Sequence, residues 1–103
     1  MTPVNVRGLP PGTPGVYYCG RACNGWPESP LANPFVLTRE ADRDRVIDRY
    51  REWLDERIRE DDRTVVTALL DLPDDARLGC WCVPKRCHVE AIIAAARRLR
   101  EGV

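Results

Sequence analysis

An α/β fold built on a short, mostly parallel sheet is what this sequence predicts, and three observations predict it. Val4-Asn5-Val6, Val16-Tyr17-Tyr18-Cys19 and Arg77-Leu78-Gly79-Cys80-Trp81-Cys82 are short runs bounded by turn residues, the pattern of strands in a small sheet. Two stretches with apolar residues at helical spacing separate the second run from the third, and a parallel pair needs a crossover of that kind. A last helical stretch follows the third run. At 103 residues, 44% hydrophobic and 31% charged, the chain predicts a single domain over 1–103, with a modest core and helices packed on the sheet in two or three layers.

Each element has its own signal. Gly8 through Gly15 is dense in proline and glycine, so the first two strands are expected to form an N-terminal hairpin around it. From Gly20 to Phe35 the chain reads as irregular, because Gly25, Pro27, Pro30 and Pro34 forbid a long regular element. A loop of that length in so small a domain is more often functional than decorative. Thr38 is the expected N-cap of the next helix, with Glu40 and Asp42 in its first turn. Val46, Ile47, Tyr50, Trp53, Leu54 and Ile58 then recur at helical spacing, which makes Tyr50 and Trp53 core residues rather than a stacking pair for a ligand. Asp62 is expected to cap a shorter helix through Val65, Val66, Leu69 and Leu70, ended by Pro73. The final helix places Val89, Ile92, Ile93, Ala96 and Leu99 on one face.

Charge excludes some functions. Lys+Arg and Asp+Glu both number 16, for a formal net charge of zero, which gives no overall electrostatic drive toward nucleic acid or anionic lipid. Lys85 is the only lysine; an arginine-heavy chain suits carboxylate or phosphate recognition and equally suits a GC-rich genome. Met1 is followed by prolines and an arginine rather than an apolar core, and no apolar run approaches a membrane span, so a cytoplasmic protein without membrane contact is expected. There the five cysteines stay reduced, and metal or thiol chemistry gains over a disulfide framework.

Three of those cysteines and the only histidine fall within Cys80-Trp81-Cys82-Val83-Pro84-Lys85-Arg86-Cys87-His88. Three thiolates and an imidazole, Cys80, Cys82, Cys87 and His88, make a complete tetrahedral set for zinc, or part of the ligation of an iron–sulfur cluster. On a regular strand Cys80 and Cys82 share a face, with Trp81 on the other. Cys87 and His88 converge on one ion only if the helix begins at them, before the backbone becomes helical. Two other readings stand beside this one. The cysteines are small buried apolar side chains, with His88 bonded to backbone at a helix start. Or Cys87, near a helix N-terminus and flanked by Lys85 and Arg86, is a reactive thiol.

If the strands ending at Cys19 and Cys82 are parallel, Gly20–Phe35 and Val83–His88 emerge at the same carboxyl edge of the sheet, where open α/β sheets bind ligands. A phosphate-bearing ligand there would meet Arg21, Asn33, Lys85 and Arg86 at the start of the last helix. Asn33 and Phe35 read equally as a turn residue and a core anchor. Cys19 and Cys23 lie beside the same loop and would be additional ligands of a mixed site.

The strand end at Gly20-Arg21, the loop closing on Asn33-Pro34-Phe35, a helix containing Tyr50 and the terminal Cys80-Trp81-Cys82, Pro84, Cys87-His88 pattern resemble a family of small uncharacterised domains found in phage and bacterial genomes, a domain of unknown function. The C-terminal signature is its specific part, and Cys19 and Cys23 fall outside it. The resemblance implies a phage or prophage setting and a Cys/His centre, without implying a reaction. Three functions of different classes follow: a zinc-binding domain that recognises a nucleotide or nucleic-acid element at its strand ends; an enzyme acting on a phosphorylated or nucleotide substrate, with Cys82 or Cys87 as nucleophile or with an open metal position activating water; and a host-takeover protein that binds a bacterial target.

Overall fold

In the computed structural model, which describes residues 1–102, the strand that comes last in sequence lies at the centre of the sheet. The elements are β1 (Thr2–Asn5), β2 (Val16–Tyr18), a 3-10 turn (Glu40–Asp42), α1 (Arg43–Arg59), α2 (Arg63–Leu70), β3 (Arg77–Cys80) and α3 (Val89–Glu101). Strand order is β1-β3-β2, and both outer strands run parallel to β3, with Thr2 and Val16 each opposite Arg77. The α/β class and the parallel pairing of β2 with β3 are as expected.

The N-terminal hairpin is not present: β1 and β2 never pair with each other. The reason lies in β3, whose backbone groups point alternately to its two edges and are met on both. Val6 N donates to Cys80 O at 3.1 Å on one edge, and Cys19 N to Gly79 O at 2.9 Å on the other. A β1–β2 hairpin would leave one edge of this buried strand open, at the cost of its unpaired amides and carbonyls. Residues 6–15 instead carry the chain from one side of β3 to the other, bending at Gly8, Gly12 and Gly15, all with positive φ. Gly79 permits the crossing. A Cβ there would come within 2.5 Å of Val6 Cγ1 and 3.2 Å of Val16 Cγ1, so only glycine lets the chain pack against the centre of the sheet.

The segment after β2 is not wholly irregular. Cys23 and Trp26 form a miniature antiparallel bridge, with N–H···O bonds of 3.1 and 2.9 Å in the two directions. Asn24 and Gly25 between them both have positive φ, the geometry of a two-residue hairpin turn, for which Asn-Gly is the strongest sequence signal. Trp26 is thereby buried, stacked on Tyr18 with ring centroids 5.3 Å apart.

Helix α1 starts later than expected. Thr38 caps nothing; Glu40–Asp42 forms the 3-10 turn, and Arg43 opens the α-helix without a side-chain cap bond. Asp62 caps α2 as expected, its Oδ1 accepting from Thr64 N at 3.2 Å and Val65 N at 3.4 Å. Leu70 points outward and is 45% exposed, because its neighbour Leu69 takes the inward position. Helix α3 packs on β1 and β3 and against α1 and α2. One contiguous core joins Tyr50 and Leu54 of α1, Leu69 of α2, Leu78 of β3 and Ile92 of α3. Among the described residues no helix is long and apolar enough to cross a membrane.

A candidate Cys/His centre at the strand ends

On β1, β3 and the continuation of β2, Asn5, Cys80 and Cys19 occupy neighbouring positions at the carboxyl edge. Beyond Cys80 the chain leaves the sheet, turns through Val83-Pro84, and is held by three fixtures. Asn5 Nδ2 donates to Val83 O at 2.6 Å and to Trp81 O at 3.4 Å. Trp81 Nε1 donates to Tyr18 Oη at 2.9 Å, and that hydroxyl donates to Arg21 O at 2.5 Å. Lys85 N donates to Cys82 O at 2.8 Å and closes the turn. The segment 81–88 is therefore returned toward β3, and its cysteines fold back on Cys80.

The thiols of Cys80, Cys82 and Cys87 lie close enough to perturb one another's titration, and Cys82, Cys87 and His88 line one cleft. Cys80 and then Cys87 hold the Cys82 thiol far below its ordinary range, with the Arg43 guanidinium adding to them and burial opposing. The converse holds for its partners: Cys82 raises Cys80, and Cys80 and Cys82, with burial, raise Cys87 strongly. The three thiols therefore titrate as one coupled group in which Cys82 holds its proton least firmly. Cys80 and Cys87 are buried, whereas Cys82 is partly exposed.

His88 completes the group. It lies one residue before α3, already in the αR region at φ −58° and ψ −17°, yet its ring still meets the preceding side chain. Its Nε2 lies 2.6 Å from Cys19 O, and its Nδ1 3.3 Å from Cys87 Sγ. A carbonyl only accepts, so Nε2 carries the proton and Nδ1 presents a lone pair toward the thiols. Burial lowers the His88 pKa, opposed by the bond to Cys19, which keeps the ring neutral. Tyr50 fixes the ring's tilt with an edge-on contact at 4.8 Å and is itself anchored by Oη donating to Leu31 O at 2.7 Å. Cys19 enters the site through its carbonyl; its thiol, pushed up to about 12 by burial and then by Cys80, bonds to Tyr17 O. Cys23 is exposed in the Asn-Gly hairpin.

The donors have the chemistry of a soft-metal site. For Zn–S near 2.3 Å and Zn–N near 2.1 Å, an S···N edge of a tetrahedron is about 3.6 Å, close to the 3.3 Å between Cys87 Sγ and His88 Nδ1. A histidine ligand whose other nitrogen donates to a backbone carbonyl is the usual outer-shell arrangement of such sites. As placed, however, among the described residues no group of three or more His, Cys, Asp or Glu stands arranged to hold a metal ion.

The four expected anion-binding residues all have intramolecular partners. Arg21 donates through Nε and Nη2 to Asn33 O at 3.1 and 2.8 Å, and Asn33 Oδ1 accepts from Phe35 N at 2.9 Å, so Arg21 and Asn33 are joined as loop fasteners. Lys85 lies 3.5 Å from Glu40, and Arg86 lies 2.6 Å from Asp44 and 3.5 Å from Glu90. The two loops do face each other. Asn33, Arg43, Cys82, Arg86, Cys87 and His88 line one cleft, but its volume is about 50 Å³, room for an ion or one or two waters rather than a nucleotide.

Arg43 is the residue that sequence reasoning missed. It lies in register with Ile47, Tyr50 and Leu54 on the inward face of α1, which is where its side chain becomes 15% exposed. Its guanidinium meets Glu40 with bonds of 3.0 and 2.7 Å, donates to Arg86 O at 2.8 Å and lines the same cleft as Cys82. An arginine at the head of an apolar stripe was the available signal, since a cation placed there needs an inward partner. Asn5, a polar residue at a strand end, carried a similar signal.

The sequence profile of a family described as Domain of unknown function (DUF4326) matches residues 8–98, a span that takes in both loops and the whole Cys/His segment. No curated protein and no solved structure matches the chain.

Proposed function

We propose, from the premise that the chain belongs to the DUF4326 family, that Cys80, Cys82, Cys87 and His88 hold a soft metal ion, zinc by the character of the donors. When bound, zinc would supply a fixed tetrahedral anchor for the 81–88 segment. The observation that carries the reading is the His88 ring, protonated on Nε2 by its bond to Cys19 O and offering Nδ1 to Cys87 Sγ at 3.3 Å. A helix-start histidine bonded to backbone accounts for the first contact; a metal ligand accounts for both. The chain's own residues do the rest: Asn5 sets the turn, Tyr50 sets the ring, and Arg43 offsets the excess negative charge of three thiolates.

Recognition of a nucleotide or nucleic-acid element, in a phage or prophage setting, belongs to the same reading. Its support is the exposed rim of Arg21, Lys85 and Arg86 around the centre. The paired state of those cations and the small cleft make this a surface contact, with phosphate displacing Glu40 or Asp44 as partner.

A second reading has one observation of its own. Cys82 is the partly exposed thiol of the three and shares a cleft with the Arg43 guanidinium, which lowers its pKa, as suits an activated nucleophile. Elemental analysis and an absorption spectrum of protein purified anaerobically without chelator separate the readings. About one zinc per chain, absent from Cys87→Ser, supports the metal centre; iron with charge-transfer absorption moves it to a cluster. Metal-free protein that takes up no added zinc, with Cys82 selectively alkylated at neutral pH, overturns it in favour of the thiol.

A further inference from the structure

The cysteines of the 80–88 segment are more than a ligand set, because two of them, Cys82 and Cys87, line one small cleft and make an oxidisable pair with a route for an oxidant. Cys80 and Cys87 are 1% and 2% exposed, and Cys82 alone of the three reaches the surface, at the mouth of the cleft lined by Asn33, Arg43 and Arg86. That cleft admits a molecule of peroxide size and excludes a bulky one. Any small oxidant entering it meets Cys82 first.

We infer that Cys82 and Cys87 form a peroxide-responsive dithiol that opens the Cys/His centre by closing into a disulfide. The inference deepens the metal reading, on which it rests for its consequence. Cys82 sulfur attacks the O–O bond of a hydroperoxide, forming an S–O bond and releasing the distal oxygen as an alcohol, or as water from hydrogen peroxide. Cys87 sulfur then attacks Cys82 sulfur, the S–S bond forms and water leaves. Two thiolates, one hydroperoxide and two protons give one disulfide, one alcohol and one water. The sulfurs lose two electrons and the peroxide gains them.

Cys87 rather than Cys80 is the resolving thiol because of where the two lie. Cys82 and Cys87 line the same cleft, whereas Cys80, at the end of β3, does not reach it. The chain between Cys82 and Cys87 turns back on itself through the Lys85 N to Cys82 O bond of 2.8 Å. Closure removes two of four donors, while Asn5 and Arg43 still grip the backbone of Val83 and Arg86. The segment therefore loses its anchor without unfolding the domain.

The test uses the whole chain, reduced and then loaded with zinc, treated with equimolar hydrogen peroxide. Intact mass, disulfide mapping of proteolytic peptides and a zinc-binding dye are followed in parallel. The expected result is loss of two hydrogen masses, a single Cys82–Cys87 peptide cross-link, release of the loaded zinc at the same rate, and recovery on adding a dithiol. Cys82→Ser should lose the response at least tenfold. A cross-link between Cys82 and Cys87 in protein that never takes up zinc sustains the dithiol while removing the metal reading. Zinc uptake with a Cys80–Cys82 link, with stable sulfinic acid on Cys82, or with no oxidation within hours overturns the dithiol and leaves the metal reading standing.

Discussion

The charge distribution in the thiol cluster has a thermodynamic consequence that a titration of stability can read. In reduced, metal-free protein Cys80, then Cys87 and Arg43, lower the Cys82 pKa far enough to favour the thiolate, whereas in the unfolded chain it is a thiol with a pKa of about 8.5. Stability from this group is thus fully present above pH ~8.5 and is lost as pH falls, because the unfolded state binds the extra proton. His88, the only histidine, is lowered by burial, so below its unfolded pKa of about 6.5 the unfolded chain takes a second proton. Each excess proton gives a slope of about 1.4 kcal/mol per pH unit. Between pH 8 and pH 6 the Cys82 contribution integrates to about 2.6 kcal/mol, His88 acts in the same direction, and the raised thiols of Cys19, Cys80 and Cys87 offset a small part near pH 8. Partial exposure of Cys82 trims its shift by screening, but the slope counts protons and holds while the folded pKa stays below the window. Urea unfolding followed by tryptophan fluorescence, at half-unit pH steps with chelator and reductant, measures it. Cys82→Ser should lose far less stability than wild type over the same range, keeping only the smaller His88 contribution. Wild type and Cys82→Ser losing the same stability over this range, or wild type losing none, would refute the thiolate assignment.

Three further outcomes follow from packing and hydrogen bonding. Gly79→Ala should cost about 1–3 kcal/mol by driving a methyl into Val6, and Val6→Ala in the same chain should return part of it; urea midpoints for the two single variants and the double variant check this, and simple additivity would remove the proposed clash. Asn5→Ala should lose about 1–2 kcal/mol by freeing the Val83 carbonyl, with Asn5→Asp worse because a carboxylate would face that oxygen; equal melting temperatures for the two variants would contradict the donor role. Tyr50→Phe keeps the ring against His88 but leaves Leu31 O unpaired, for about 1–2 kcal/mol; an unchanged thermal midpoint would show that water reaches that carbonyl.

The parts of the fold that rest on local chemistry were legible in the sequence. The Asp62 cap, the inward stripe of Ile47, Tyr50 and Leu54, and the shared carboxyl edge of β2 and β3 all follow from spacing. The hairpin expectation failed because strand pairing is decided between segments, and nothing local to Gly8–Gly15 says that β3 will come between. Thr38 was the better cap by residue type, but the 3-10 turn at Glu40 moved the helix start beyond its reach. The Cys/His segment marked the site, while the residues that shape it, Arg43, Asn5 and the Cys19 carbonyl, are distant in sequence and meet it only through the sheet. Arg21 and Asn33 show the reverse case. Both sit where a ligand would, and both are occupied in fastening their own loop.

The central position of β3 also governs how the domain can be made. Thr2 and Val16 find their common partner in Arg77, so neither N-terminal strand has a neighbour until most of the chain has emerged from the ribosome. Helices α1 and α2 can form early from local contacts, but the sheet assembles late and in one step around β3. Until then two strand edges stay open to other chains. The dense prolines and glycines of residues 6–15, which cannot extend either strand, are then a safeguard during synthesis as well as a crossing in the finished domain.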